Sequence, residues 1–212
     1  MHKILTTILF ITGLNITASR SFGQGQVSVQ NNTQLSPVTY GSGPNAGGRI
    51  FGPAGAFEYG FYIGAAGATS LAQMTLIDTA QNFITTSSTS VFAGQIAMGT
   101  ITGQGNVGAA NGFAGLNPET TYSCMVGVWT KADGADYVTA SMSGDTAGWL
   151  GLSTIGSFTA TLQGGPQPPA QAFGPFPGQL GAIILTPAPE PTTLALGALG
   201  TAALLLARRR KK

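Results

Sequence analysis

The chain is short of charge. Only 8% of its 212 residues are Asp, Glu, Lys or Arg, where an ordinary globular protein has about a quarter. It holds one cysteine, Cys124, and one histidine, His2. A lone cysteine excludes an intramolecular disulfide. Within an alternating apolar segment it reads as a small buried hydrophobe, with intermolecular pairing or a reactive thiol as the other reading. His2 falls in an N-terminal segment with the pattern of an export signal, so the exported part would contain no histidine. That removes the usual general base for a Ser or Cys nucleophile and the commonest zinc ligand. Cations are scarce too. Between residues 24 and 188 only Arg49 and Lys131 are basic, against Glu58, Asp78, Glu119, Asp133, Asp136 and Asp145, a net charge of −4. The whole-chain balance of +2 therefore belongs to the two ends. Two scattered cations cannot neutralise a phosphate backbone, which excludes nucleic-acid binding.

What replaces charge is glycine, proline and small polar residues. The chain has 32 Gly and 12 Pro, about a fifth of its length, and Ser, Thr, Asn and Gln supply its polarity. Extracellular β-proteins share this profile, because turns consume Gly and Pro while solvent faces carry Thr and Ser. Residues 24–188 are long enough for one domain with its own core.

The ends are organised differently. Met1-His2-Lys3 is a short basic start, and residues 4–16 are mostly apolar. Ser21-Phe22-Gly23 then fits the small-x-small rule of a cleaved secretory signal, with Ala18-Ser19-Arg20 as an alternative. The apolar stretch is too short, and too broken by Thr and Asn15, for a comfortable permanent span. At the other end stand Pro189-Glu190-Pro191, an uncharged run over residues 192–207, and Arg208-Arg209-Arg210-Lys211-Lys212. Sixteen helical residues reach roughly 24 Å, short of a hydrocarbon core of about 30 Å. Snorkelling arginines and local thinning would close that gap. The cations favour a cytoplasmic end, which puts residues before Pro189 outside. The bland alternative is a buried C-terminal helix, for which five bare cations are a poor ending.

This tail resembles the PEP-CTERM sorting signal of Gram-negative bacteria: a Pro-Glu-Pro motif, a short apolar helix and an Arg cluster, in that order. The resemblance implies an exosortase as partner, an integral-membrane cysteine protease or transpeptidase. Such an enzyme would cut near Pro189–Pro191 and deliver the protein to the cell surface, often alongside exopolysaccharide export. Carried over residue by residue, Pro189, Glu190 and Pro191 are the recognition motif, residues 192–207 the span, and Arg208, Arg209 and Arg210 the cytoplasmic stop. One departure is Ala188, where the family commonly has Val. The tail covers about a ninth of the chain. The pattern Asn117-Pro118…Thr121-Tyr122…Val128-Trp129 with its following Asp-Gly is also similar to a recurrent β domain of PEP-CTERM proteins from Verrucomicrobia-type bacteria, a resemblance that brings no activity with it.

Period-two patterning dominates the middle. Val27 and Val29 open a strand. Phe57, Tyr59, Phe61 and Ile63 alternate with Glu58, Gly60, Tyr62 and Gly64, the signature of a half-buried strand. Ile96, Met98 and Thr100 suggest another after the Ser/Thr-rich stretch 85–90. Residues 121–140 read as a hairpin, with Tyr122, Cys124, Val126 and Val128 on one face and Ser123, Met125, Gly127 and Trp129 on the other. Its turn is 131–136, cued by Asp133-Gly134, and residues 137–140 lead back. Phe158, Ala160 and Leu162 form a strand, 164–177 an irregular loop, and 180–185 a last strand. A short helix is predicted around 70–81. The fold class expected is all-β: a single antiparallel β-sandwich, Ig-like or jelly-roll, over residues 24–188, followed by a single C-terminal transmembrane helix.

Catalytic motifs fail on context. Gly103-Gln104-Gly105-Asn106-Val107-Gly108 matches a dinucleotide fingerprint by letter, but Gly112, Gly115 and Pro118 prevent the helix it requires. Asp133 and Asp136 lack the ligand density of a calcium loop and read as a turn. Glycosidase chemistry needs two carboxylates at a set separation, and none of the six has a recognisable context. No cofactor, metal or catalytic residue emerges. The aromatics stay open: Trp129, Trp149 and Tyr122 either stack on sugar rings from an exposed face or pack beneath loops and a second sheet. The expectation is a non-enzymatic surface or matrix protein, with a carbohydrate-binding module for exopolysaccharide as the alternative. Export across the inner membrane would leave it transiently anchored, then at the envelope surface or extracellular.

Overall fold

Strands form where aromatic and β-branched residues alternate with small ones. In a computed structural model the described residues are 24–31, 37–53, 55–81, 90, 93–102, 115–143, 145 and 147–188. Along them run β1 (Gly25–Gln30), β2 (Val38–Tyr40), β3 (Phe57–Ala65), β4 (Met74–Gln81), β5 (Ala97–Thr102) and β6 (Thr121–Thr130). A helix, α1 (Tyr137–Met142), follows, and then β7 (Trp149–Leu152), β8 (Gly156–Thr159), β9 (Thr161–Leu162), β10 (Ala170–Gln171) and β11 (Ile183–Pro187). The export signal at 1–23, the glycine run 103–108, the motif Pro189–Pro191 and the expected span 192–207 all lie outside the described residues. Among the described residues no helix is long and apolar enough to cross a membrane.

The strands make two sheets. The smaller has the order β10-β1-β5, with β9 also pairing β1. The larger runs β2-β11-β7-β6-β3-β4, with β8 also pairing β6. β6 is the spine of the large sheet. One edge pairs β3 over its full length, from Phe57↔Thr130 to Ala65↔Tyr122. Its other edge is shared, with Thr121–Cys124 facing β8 and Gly127–Trp129 facing β7. Between those partners Ser153 plugs the gap. Its hydroxyl accepts from Val126 N–H at 2.9 Å, and its own N–H donates to Val126 O at 2.9 Å.

One core joins the sheets. Val27, Val29 and Ile101 from the small sheet pack in the same cluster as Tyr59, Phe61, Ile63, Cys124, Val126 and Val128 from the large one. Ile183 and Leu185 of β11 lie in it as well, both wholly buried. Tyr122 stacks on Phe158 with ring centroids 5.7 Å apart. Burial of so many branched and aromatic side chains is the dominant favourable term in a domain this poor in charge.

Several expectations need correction. The sheets are mixed, because β10 runs parallel to β1 and β2 parallel to β11. The helix expected around 70–81 is a single 3-10 turn, Leu71–Gln73, before β4. Thr75, Ile77 and Thr79 favour a strand, and β3 offers a full edge to pair with, from Gly64↔Met74 to Glu58↔Gln81. The loop expected over 164–177 contains β10. The hairpin over 121–140 does not form, because residues 137–142 turn into α1. Asp136 caps that helix, its Oδ1 accepting from Thr139 N–H at 2.7 Å. Ala140 is then buried against the sheet. Finally, β3 is not half-buried. Seven of its nine residues are buried, on both faces, because Trp129 and Leu76 lie across Gly60, residues 68–74 close over Gly64, and Tyr62 Oη meets the start of α1 on the side away from the core.

Candidate functional site

The covered back of the large sheet is built on missing side chains. Gly60 and Gly127 are register partners on β3 and β6. A Cβ on Gly127 would stand 3.0 Å from the Tyr137 ring, and one on Gly60 would stand 3.0 Å from Trp129 Cζ3. The two glycines leave a bare strip of backbone on which those rings lie. Trp129, Ala140, Leu150 and Ala188 form a small second core there, with Tyr137 against it. Trp129 Nε1–H donates to Gly134 O at 2.9 Å, and Tyr137 N–H donates to Tyr62 Oη at 3.1 Å.

That cluster fixes where the chain leaves the domain. β11 ends in two antiparallel pairs with β7, Thr186↔Leu150 and Pro187↔Trp149. Ala188 N–H then donates to Gly148 O at 2.8 Å, and Ala188 is 5% exposed. The next residue is Pro189, the first of the sorting motif expected from the sequence.

The three aromatics have different fates. Trp129 is 0% exposed with its N–H spent on a carbonyl, so it presents no face to a sugar. Tyr122 is buried in the main core, its ring on Phe158 and its hydroxyl accepting from Asn117 N–H at 2.8 Å. Packing beneath a lid and between sheets, the bland reading, describes both. Trp149 differs: it is only partly buried and sits edge-on to Tyr40 at 5.0 Å. It borders the largely exposed loop 41–48, with Gly43 beneath its ring edge.

Of the acidic residues, Asp133 and Asp136 do not act together. Asp136 is the cap of α1, whereas Asp133 is buried at the end of a 3-10 turn. Asp133 Oδ2 has no hydrogen-bond partner among the described residues, and it fills the space a side chain at position 148 would need. Desolvation, then the negative charge of Asp145, pushes its carboxyl above the ordinary value, opposed by the Thr130 side chain. Among the described residues no three metal-ligating side chains converge. Cys124 is a free, buried thiol that burial pushes up to about 12, well away from the thiolate range that makes cysteines reactive.

A groove of about 460 Å³ opens at the other end of the domain, lined by Glu119, Thr159, Thr161, Leu162, Pro166 and Gln167. Glu119 follows Pro118 in a turn and takes φ = 60°, a left-handed conformation that a non-glycine residue adopts at a cost. Among the described residues its carboxylate is the only charged group in the lining, and no second carboxylate stands there to form the pair that glycoside hydrolysis uses.

Sequence reasoning missed the seat of Ala188 and the lid over Trp129. A signal for the lid was present: glycines at facing positions of two adjacent strands mark close approach by something above them. No pattern in 183–188 distinguishes a strand end from a linker.

Comparison with known proteins adds one finding. Residues 187–211 match the PEP-CTERM protein-sorting motif. The motif marks the chain for exosortase-dependent sorting to the cell envelope and surface, as the tail pattern implied. No curated protein and no solved structure matches the chain.

Proposed function

We propose that residues 24–188 are a non-enzymatic structural component of the cell surface or extracellular matrix, held by the apolar span 192–207 only until an exosortase removes it. The match over residues 187–211 carries this reading. The domain's two sheets around one core suit an Ig-like or jelly-roll sandwich. Three features favour a structural role over catalysis: an exported part with no histidine, a groove with one carboxylate among the described residues, and a buried thiol held in its neutral form. Mass spectrometry of the mature protein from native cells tests the sorting half. The C-terminus should fall near Pro189–Pro191, and surface protein still ending at Lys212 would sink it.

A second reading has its own observation. Trp149 is only partly buried, between Tyr40 and the exposed loop 41–48. An amphipathic ring held edge-on by a second aromatic is a platform on which a sugar can stack. On this reading the domain holds the cell's own exopolysaccharide. Pull-down on that polysaccharide should retain the wild-type domain and lose most of the Trp149→Ala variant. Equal retention of both proteins removes Trp149 as the contact.

A further inference from the structure

We propose that the end of β11 gates exosortase processing: the sorting segment becomes a substrate only when residues 186–188 detach from the sheet. The proposal rests on the sorting reading above and concerns when the cut can happen, not its chemistry. The matched motif begins at Pro187, which is still in β11 and paired with Trp149. Its second residue, Ala188, is 5% exposed, packed with Trp129, Ala140 and Leu150, and bonded through its N–H to Gly148 O. The first two residues of the sorting signal are therefore part of the folded domain, and Pro189 follows with no spacer.

A protease takes its substrate as an extended strand whose backbone pairs with the enzyme on both sides of the cut. Here the residues just before the motif have their backbone committed to β7 and to Gly148. Thr186 and Pro187 are exposed but Ala188 is packed against Trp129 and Leu150, so enzyme and domain compete for one stretch of chain. The opening needed is local. Leu185 and Ile183 are wholly buried in the main core and pair in parallel with β2, which stops fraying there. Beyond them the holding contacts thin out. Thr186 Oγ1 donates to Leu150 O at 3.4 Å, and Pro187 has no N–H to donate. The docked state is thus poised to open without unfolding the domain.

The test is a pulse-chase of the full chain in native cells, with loss of residues 192–212 read by mass spectrometry. A flexible Gly/Ser linker of about six residues between Ala188 and Pro189 removes the competition. When opening is fast, cleavage follows the open population, so the linker variant should be processed roughly tenfold faster. Gly148→Ala drives a methyl into Asp133 and shifts the carbonyl that holds Ala188, without touching the sorting residues. It should speed processing of the direct-coupled chain and leave the linker variant's rate unchanged. Equal rates with and without the linker overturn the gate, as does equal acceleration by Gly148→Ala in both backgrounds. A wild-type chain never cut at all removes the sorting reading, and the gate with it.

Discussion

The two faces of the large sheet are built by opposite means. Toward the small sheet, β3 and β6 project Tyr59, Phe61, Ile63, Val126 and Val128, large side chains that fill a core shared by both sheets. On the reverse, the same two strands place Gly60 and Gly127 side by side, and the covering groups come down onto bare backbone. The first face is filled from the strands outward, the second jointly by Trp129 and Leu150 of the strands and by α1 settling onto them. The core face holds the domain together. The lidded face holds Trp129 and Ala188, and with them the point where the chain departs.

Truncating one large residue on each face gives the widest separation. Phe61→Ala opens a cavity in the main core and should cost about 3–5 kcal/mol. Leu150→Ala on the lidded face should cost about 2 kcal/mol, because the lid can settle into the space. Urea unfolding of the exported domain reads both. Equal losses would mean that the lid is as integral to stability as the inter-sheet core, and the contrast drawn above would fail. The free thiol offers a parallel check, since Cys124 should resist alkylation near neutral pH until the core face opens.

Gly127→Val attacks the lidded face from beneath, with a smaller expected effect. Valine suits a strand, and by propensity alone the substitution should be neutral or favourable. Its Cβ would instead meet the Tyr137 ring at 3.0 Å, and overpacking of this kind costs about 1–3 kcal/mol. Thermal unfolding should show the loss, and intrinsic fluorescence should show Trp129 becoming more solvated as α1 lifts. A stabilised variant with unchanged fluorescence would mean that the lid does not need the glycine strip.

These two faces were unequally legible in the sequence. The alternation Phe57-Tyr59-Phe61-Ile63 and Tyr122-Cys124-Val126-Val128 announces two strands and the face that becomes the core, because a period of two is what a pleated strand produces. The same alternation predicts half-burial, since nothing local says that a six-residue helix will fold back over Gly127 and Trp129. Residues 137–140 looked like a returning strand because Tyr, Val and Thr favour one. The outcome turned on Asp136, whose side chain caps the first turn, and on Ala140, small enough to lie against Trp129. The parallel pairs β1–β10 and β2–β11 join segments far apart in the chain, which local pattern does not encode. The sorting signal was legible for the opposite reason: its meaning lies in the order of three short segments and needs no tertiary contact. That Ala188 is seated in the fold depends on Gly148 and Leu150, about forty residues earlier.

The smallest effect sits at the rim of the lidded face, and pH is its lever. Asp133 is buried with Oδ2 unpartnered and Asp145 nearby, so its carboxyl is held above the ordinary value in the folded state. The folded protein therefore binds this proton more tightly than the unfolded chain does. Stability attributable to Asp133 must fall as pH rises through the raised value and recover as pH drops back toward the ordinary carboxylate range. At neutral pH the buried charge is a net cost. Asp133→Asn keeps the shape, removes the charge and can donate toward Asp145, so it should stabilise the domain by about 1 kcal/mol at pH 7. That gain should shrink as the pH is lowered, because protonation does for the wild type what the amide does for the variant. Urea midpoints at pH 7 and pH 4 read the difference directly. A destabilised variant at pH 7, or a gain that grows on acidification, would mean that the carboxylate has a stabilising partner in solution and that the loop holding Ala188 is anchored by charge.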